Sequence, residues 1–117
     1  MNSHKIISFI FGLAFCVICA NSAVAAEQPY LEQAISESAE AIEAGKASEA
    51  ASMIEHADSA FDRARSAVWQ NPVDHIRLGM KFLRKAVKVA KGTNSEKRIA
   101  KAIDYIETAK SHFEAAR

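Results

Sequence analysis

Residues 71–92 read NPVDHIRLGMKFLRKAVKVAKG and carry a complete set of helix signals. Asn71 suits the N-cap, Pro72 the first helical position, and Asp74 the positive end of the helix. Gly92 suits a left-handed residue just after the helix. Apolar residues recur at intervals of three and four, so one face of this helix is expected to be buried: Ile76, Met80, Leu83, Val87 and Ala90.

The same spacing continues on both sides of this segment, and no stretch alternates as a β-strand does. Abundant alanine also favours helix. The signals predict four helices: 29–44, 48–69, 72–91 and 94–115. Because the connections are short, consecutive helices should be antiparallel neighbours. The expected fold class is all-α, an up-down-up-down antiparallel four-helix bundle.

The other helix ends have their own signals. Gly45 is expected to end the first helix in a left-handed conformation, and Ser48 to cap the second. Thr93 and Glu96 are expected to form a capping box at the start of the fourth. The first helix should bury one line of residues: Leu31, Ile35, Ser38 and Ile42.

Residues 1–26 are typical of a cleaved signal peptide. Lys5 supplies a basic start, residues 6–20 are almost all apolar, and residues 23–26 are the small residues that signal peptidase accepts. The apolar run is short for a membrane-spanning helix. We therefore expect a processed bundle domain of residues 27–117, located in the periplasm and not integral to the membrane.

Both cysteines, Cys16 and Cys19, lie in this leader, so processing would leave no thiolate nucleophile, disulfide or cysteine ligand. Lipid anchoring at either cysteine is an alternative, but Phe15 and Ile18 precede them where a small residue is expected. The sequence has no glycine-rich loop and no catalytic signature. We expect no enzymatic activity.

Charge is distributed unevenly along the chain. From Glu27 to Asp62 there are nine acids and one base, and from Arg63 to Arg117 thirteen bases and five acids. One interpretation is that opposed charges line the boundary between the two halves, each exposed pair adding ~0.2–1 kcal/mol. The other is that basic residues of the third helix bind an acidic partner, a phosphate-bearing surface or a second copy: Arg77, Lys81, Arg84, Lys85, Lys88 and Lys91. The balanced total charge argues against nucleic acid.

Candidate metal ligands are few. His56 follows Met53 by three, so imidazole and thioether could share a helix face and bind copper. His75 lies near the positive start of the third helix, and His112 has no ligand neighbour on its own helix. The ordinary interpretation of each is a boundary histidine. An acidic stripe on the first helix could hold a hard cation loosely but is more simply solvated: Glu37, Glu40 and Glu43.

Several segments together resemble the small metal-binding protein family of bacterial periplasms: 34–46, 54–57, 75–83 and 109–113. The resemblance covers nearly all of the processed chain. It implies a helical bundle that binds a divalent transition metal, copper or nickel, as a buffer or scavenger. His56, His75 and His112 match family histidines. Other residues stand where the family tends to carry further imidazoles, which implies low capacity: Leu78, Phe82, Val89 and Tyr105.

Two hypotheses follow for function. The first is a weak metal-binding bundle with His56 and Met53 as the leading ligands and His75 and His112 as further candidates. The alternative is a structural or interaction module that binds no metal. Its acidic first half and basic second half would then serve partner binding or self-association.

Overall fold

The computed structural model describes residues 28–117, and within that range it contains four helices and no strand. They are α1 (Pro29–Lys46), α2 (Ala50–Gln70), α3 (Asp74–Ala90) and α4 (Glu96–Ala115). Each helix packs mainly on its two neighbours in the order α1, α2, α3, α4 and back to α1. The expected all-α four-helix bundle is confirmed. The expected signal peptide lies outside the described residues.

The core is built from alanines with a few large side chains between them. The largest fully enclosed side chains are Phe113, Leu31, Met53, Ile76, Leu83, Ile106 and Ser38. The Ser38 hydroxyl donates to the Ala34 carbonyl oxygen at 2.8 Å, so this buried polar group is satisfied. The predicted buried line of the first helix is confirmed. None of the four described helices combines the length and the apolar character needed to cross a membrane.

The first connection differs from the prediction. Gly45 does not end α1 but lies buried inside it, and Ser48 adopts the positive φ, 61°, instead. A Cβ at Gly45 would lie 2.6 Å from Met53 Sδ and 2.7 Å from Ile103 Cγ1. Glycine is therefore used here for close approach of the helices and not for its turn conformation. Ser48 is consequently not the N-cap of α2, a position that Glu49 occupies without a side-chain cap.

The predicted cap at Asn71 is also wrong. Its amide donates to the Ala67 carbonyl oxygen, so Asn71 ends α2. Pro72 lies in the connection, and α3 begins two residues later at Asp74 after the extended residue Val73. A proline that follows a helix C-terminus gives the same local sequence as one that opens a helix.

At the last connection, Gly92 has φ of 69°, as predicted. The capping box is not formed. The Ser95 hydroxyl instead accepts from the Arg98 amide at 3.4 Å, and the Ser95 amide donates to Thr93 Oγ1 at 3.1 Å. The helix therefore begins at Glu96, two residues later than expected.

Few ion pairs cross the boundary between the α1–α2 hairpin and the α3–α4 hairpin. Only one within residues 28–117 joins them, between Arg117 and Glu32. The others lie within α2, α3 or α4, or between α1 and α2. The basic residues of α3 instead line a groove between α2 and α3, in which Asp58 is the one acidic residue among those described.

Candidate functional site

The two leading ligand candidates of the sequence lie in different environments. Met53 is 1% exposed and packs in the core with its sulfur against Gly45. A thioether enclosed in this way offers no lone pair to a hydrated ion. The His56 side chain is 37% exposed and turns toward α1. Met53 and His56 are three residues apart and lie on neighbouring faces of α2. The face that carries Met53 is buried, and the face that carries His56 lies at the edge of the contact with α1.

His56 is held by a carboxylate. Its Nδ1 lies 2.8 Å from Oε1 of Glu37, and both side chains are partly buried. A carboxylate on one ring nitrogen fixes the tautomer and the orientation of an imidazole, as it does for many metal-bound histidines. The second nitrogen, Nε2, remains as one donor. A single donor binds an ion weakly.

His75 and His112 come together across the α3–α4 hairpin. Their Nδ1 atoms are 3.1 Å apart and their ring centroids 5.3 Å apart. At this separation one Nδ1 carries the hydrogen and donates it to the other. His75 is exposed and His112 half-buried, so solvent reaches the pair. Two imidazole nitrogens at such a distance can both bind one ion once the shared hydrogen has moved to Nε2 of the donating ring.

The His75–His112 pair also lies where the start of α3 meets the end of α4. His75 is the second residue of α3, at its positive end, and His112 lies in the last turn of α4, at its negative end. The first position disfavours a cation and the second favours one. The two backbone effects therefore largely cancel, and the side chains decide the affinity.

An aromatic wall continues from the pair along the same face of the hairpin. The ring of Phe82 stacks on His112 with a centroid distance of 5.7 Å, and Tyr105 faces Phe82 at 6.1 Å. Lys85 Nζ lies 5.2 Å from the Phe82 centroid and 5.9 Å from that of Tyr105. Phe82 and Tyr105 are two of the positions at which the resemblance implies further imidazoles. Because Phe82 and Tyr105 lie next to the histidine pair, imidazoles at these two positions would add donors to the same face of the hairpin.

Sequence spacing along one helix misses the His75–His112 contact because the two residues are 37 apart. The contact can be found by pairing residues of α3 and α4 that are equally distant from the turn that joins the two helices. Both are equally far from the turn between Thr93 and Asn94, and so are Phe82 and Tyr105. Glu37 and His56 are likewise symmetric about the turn after Lys46.

No larger ligand cluster accompanies these contacts. Within residues 28–117, no group of three or more His, Cys, Asp or Glu side chains is placed to hold a metal ion. The donor set therefore fits an ion bound by two imidazoles, with water at its other positions, and does not fit an enclosed site.

A charged contact closes the bundle elsewhere. Arg117 donates from Nε and from an Nη to the two carboxylate oxygens of Glu32, at 2.9 and 2.8 Å. This hydrogen bonding, helped by the positive charge, lowers the pKa of Glu32 below its ordinary value of 4.5. The same bond raises the pKa of Arg117. The contact ties the start of α1 to the end of the chain and takes no part in the histidine pair.

The model of a family described as small metal-binding protein matches residues 3–116. None of the curated proteins compared with the chain matches it. The match spans both histidine contacts and all four helices.

Proposed function

Because the chain belongs to the small metal-binding protein family, we propose that it binds a divalent transition metal, copper or nickel, at His75 and His112. The observation that carries this proposal is the 3.1 Å between their Nδ1 atoms. Two nitrogens bound at ~2.0–2.1 Å to one ion lie roughly 2.8–3.4 Å apart in square-planar or tetrahedral geometry. The pair is thus already spaced as one edge of a coordination shell.

Binding at this pair competes with protons. The ring that donates the hydrogen bond must move its hydrogen from Nδ1 to Nε2 before both Nδ1 lone pairs reach the ion. An imidazole that carries hydrogen on both nitrogens has no lone pair to offer. Metal uptake should therefore weaken as the pH falls below neutrality. Release on mild acidification suits a buffer or scavenger better than a permanent metal store.

His56 is a second, weaker donor in this proposal. Glu37 orients its ring, but no other imidazole or carboxylate joins it to share an ion. Two ligands that are already held next to each other bind an ion without the entropy loss of ordering each side chain separately. The paired histidines should therefore fill first, with about one ion per chain.

The proposed role is binding and not catalysis, and the proposed place is the periplasm. Support for export comes from residues 1–26, whose composition is that of a signal peptide. A site of two imidazoles on an open hairpin face has no enclosed cavity in which to position a substrate. An ion held there would exchange with its surroundings, as buffering requires.

Calorimetric titration tests the metal proposal. The protein is purified from bacteria that express the full chain, its N-terminus is read by mass spectrometry, and copper(II), nickel(II) and zinc(II) are added at neutral pH. We expect about one ion per chain. His75→Ala or His112→Ala should weaken binding by at least about a hundredfold, which is the advantage of joining two ligands in one site.

His56→Ala is the matched control, since it removes one imidazole and leaves the pair. It should change the affinity of the first ion by less than about twofold. Unchanged binding in the His75→Ala and His112→Ala double variant would reject the site. Unchanged binding when His56 is also replaced would reject ligation by all three of these histidines.

A further inference from the structure

A long groove runs between α2 and α3, away from the histidine pair. It encloses about 1160 Å³. Its floor is apolar and only half-buried at Phe61, Met80 and Val87.

The rim of the groove is strongly basic. Seven of the lining residues are lysine or arginine and one, Asp58, is acidic. Arg65 and Arg77 contact nearby carboxylates on their own helices. The remaining five have no carboxylate oxygen within 4 Å among residues 28–117: Lys81, Arg84, Lys85, Lys88 and Lys91. Their mutual repulsion would be relieved by an anionic partner.

The charges are spread along the groove and not gathered at one end. They extend from Arg77 to Lys91 on α3, which spans about 21 Å at the ~1.5 Å rise of an α-helix. A lipid or other small anion has one headgroup and would meet only a few of these cations. A partner that carries carboxylates along its whole length would meet all of them.

We propose that this groove binds an acidic amphipathic helix of a partner protein. A helix laid over the seam of α2 and α3 would place its apolar stripe, spaced by three and four, on the floor. Glutamates or aspartates on the side of that stripe nearer α3 would face the basic residues of α3. The inference is independent of metal binding, because the groove contains neither His75 nor His112.

A second copy of this chain is a poorer occupant. Its acidic helix is α1, which presents carboxylates such as Glu40 and Glu43 to solvent. The large apolar side chains exposed within residues 28–117 are Trp69 and Leu78, and neither is on α1. The acidic face of a folded copy would therefore be complementary in charge to the basic side of the groove but would leave its apolar floor uncovered.

A synthetic peptide provides the test. The probe is a fluorescent helix of about 18 residues with leucine at intervals of three and four and glutamate at most other positions. Its affinity for the metal-free protein is measured by anisotropy at low salt. We expect saturable binding that weakens as salt approaches ~0.15 M, where charges are screened beyond ~8 Å. A peptide with lysine in place of glutamate should not bind.

Substitutions locate the binding. Lys81→Gln with Lys88→Gln should weaken peptide binding by about tenfold, because two rim charges are removed. Lys97→Gln with Lys101→Gln on α4 is the matched control and should change it by less than about twofold. Circular dichroism must show that both variants keep the helical content of the parent.

Four outcomes would overturn the proposal. The acidic peptide could fail to bind, or it could bind both pairs of variants equally. Palmitate or anionic vesicles could displace it and bind with the same dependence on Lys81 and Lys88, which would make the ligand a lipid. Sedimentation could show a dimer that the Lys81→Gln and Lys88→Gln variant abolishes, which would make the occupant a second copy.

Discussion

The two hairpins of this bundle, α1–α2 and α3–α4, use one geometry for different chemistry. Each has a histidine that reaches across to its neighbouring helix at 2.8 or 3.1 Å. In the first hairpin the partner of His56 is the carboxylate of Glu37. In the second, His75 and His112 are partners of each other. The residue opposite a histidine therefore decides whether the hairpin holds one oriented donor or two adjacent ones.

The hairpins also differ in what lies next to that contact. The acidic hairpin presents carboxylates such as Glu40 and Glu43 to solvent. The basic hairpin carries an aromatic wall of Phe82 and Tyr105 and a row of cations that have no carboxylate oxygen within 4 Å among residues 28–117. The proposed metal site and the proposed partner groove therefore both include residues of α3. The first hairpin mainly supplies packing and one wall of the groove.

The largest effect is expected from extending the histidine pair. Phe82→His together with Tyr105→His would place two more imidazoles on the same hairpin face, where the native rings are 6.1 Å apart. We expect the number of bound copper or nickel ions to rise from about one to about two per chain, because a second pair of donors is created. Equilibrium dialysis with metal analysis measures it.

Each single variant is the control for this prediction. Tyr105→His or Phe82→His alone supplies one donor without its partner, so the number of tightly bound ions should stay at about one. If the double variant also binds only one ion, the hairpin face is not the metal-binding surface.

A smaller effect distinguishes the two buried helix glycines. A Cβ at Gly79 would lie 2.3 Å from Cε1 of the fully enclosed Phe113 ring. Gly79→Ala should destabilise the protein by about 1–2 kcal/mol, since overpacking of ~1–3 kcal/mol exceeds the ~1 kcal/mol that alanine gains in helix propensity. Urea unfolding followed by circular dichroism measures the difference.

Gly45→Ala is the comparison in the first hairpin. There the nearest atom is the sulfur of Met53, at the end of a flexible side chain, although Ile103 is also close. The loss should be at least about 1 kcal/mol smaller than for Gly79→Ala, because methionine adapts to irregular space. Equal losses would show that Phe113 has more freedom than its burial indicates.

The smallest effect concerns the contact that joins the hairpins. Arg117 lowers the pKa of Glu32, so the ionised pair stabilises the folded state above the ordinary glutamate range and loses that effect as the pH falls through the lowered value. Arg117→Gln should lower the melting temperature slightly at neutral pH, and the difference should disappear as the pH falls through the lowered pKa of Glu32.

Lys110→Gln is the control for this last prediction, because it removes a contact with Glu114 that lies within α4 alone. A melting-temperature difference for Arg117→Gln that persists unchanged in acid would show that the Glu32 carboxylate is not its source.

Much of the fold is predictable from single helices. Intervals of three and four correctly identified four buried residues of α1 and three of the five predicted for α3, because the period of an α-helix is a local property. Met80 and Val87 of α3 are only half-buried. Helix ends were less predictable. Asn71 and Pro72 suit the end of α2 as well as the start of α3, and Gly45 suits a turn as well as a close helix contact. Choosing between such alternatives requires knowledge of what packs nearby.

The candidate site was predictable only in part. His56, His75 and His112 stand out by residue type, but their partners come from other helices. A hairpin register drawn through the turn at residues 93–94 brings His75 opposite His112, whereas spacing along α2 pairs His56 with a methionine that is buried. Contacts between helices depend on register and rotation, which no single helix contains.

By itself the sequence determined four amphipathic helices, their order and the division of charge between the halves, since these depend on residue type and local spacing. Only the tertiary structure decided that Met53 is enclosed, that two distant imidazoles meet, and that the cations of α3 border an open apolar groove. The physical reason is that packing sets the rotation of each helix about its axis, and that rotation selects which side chains face each other.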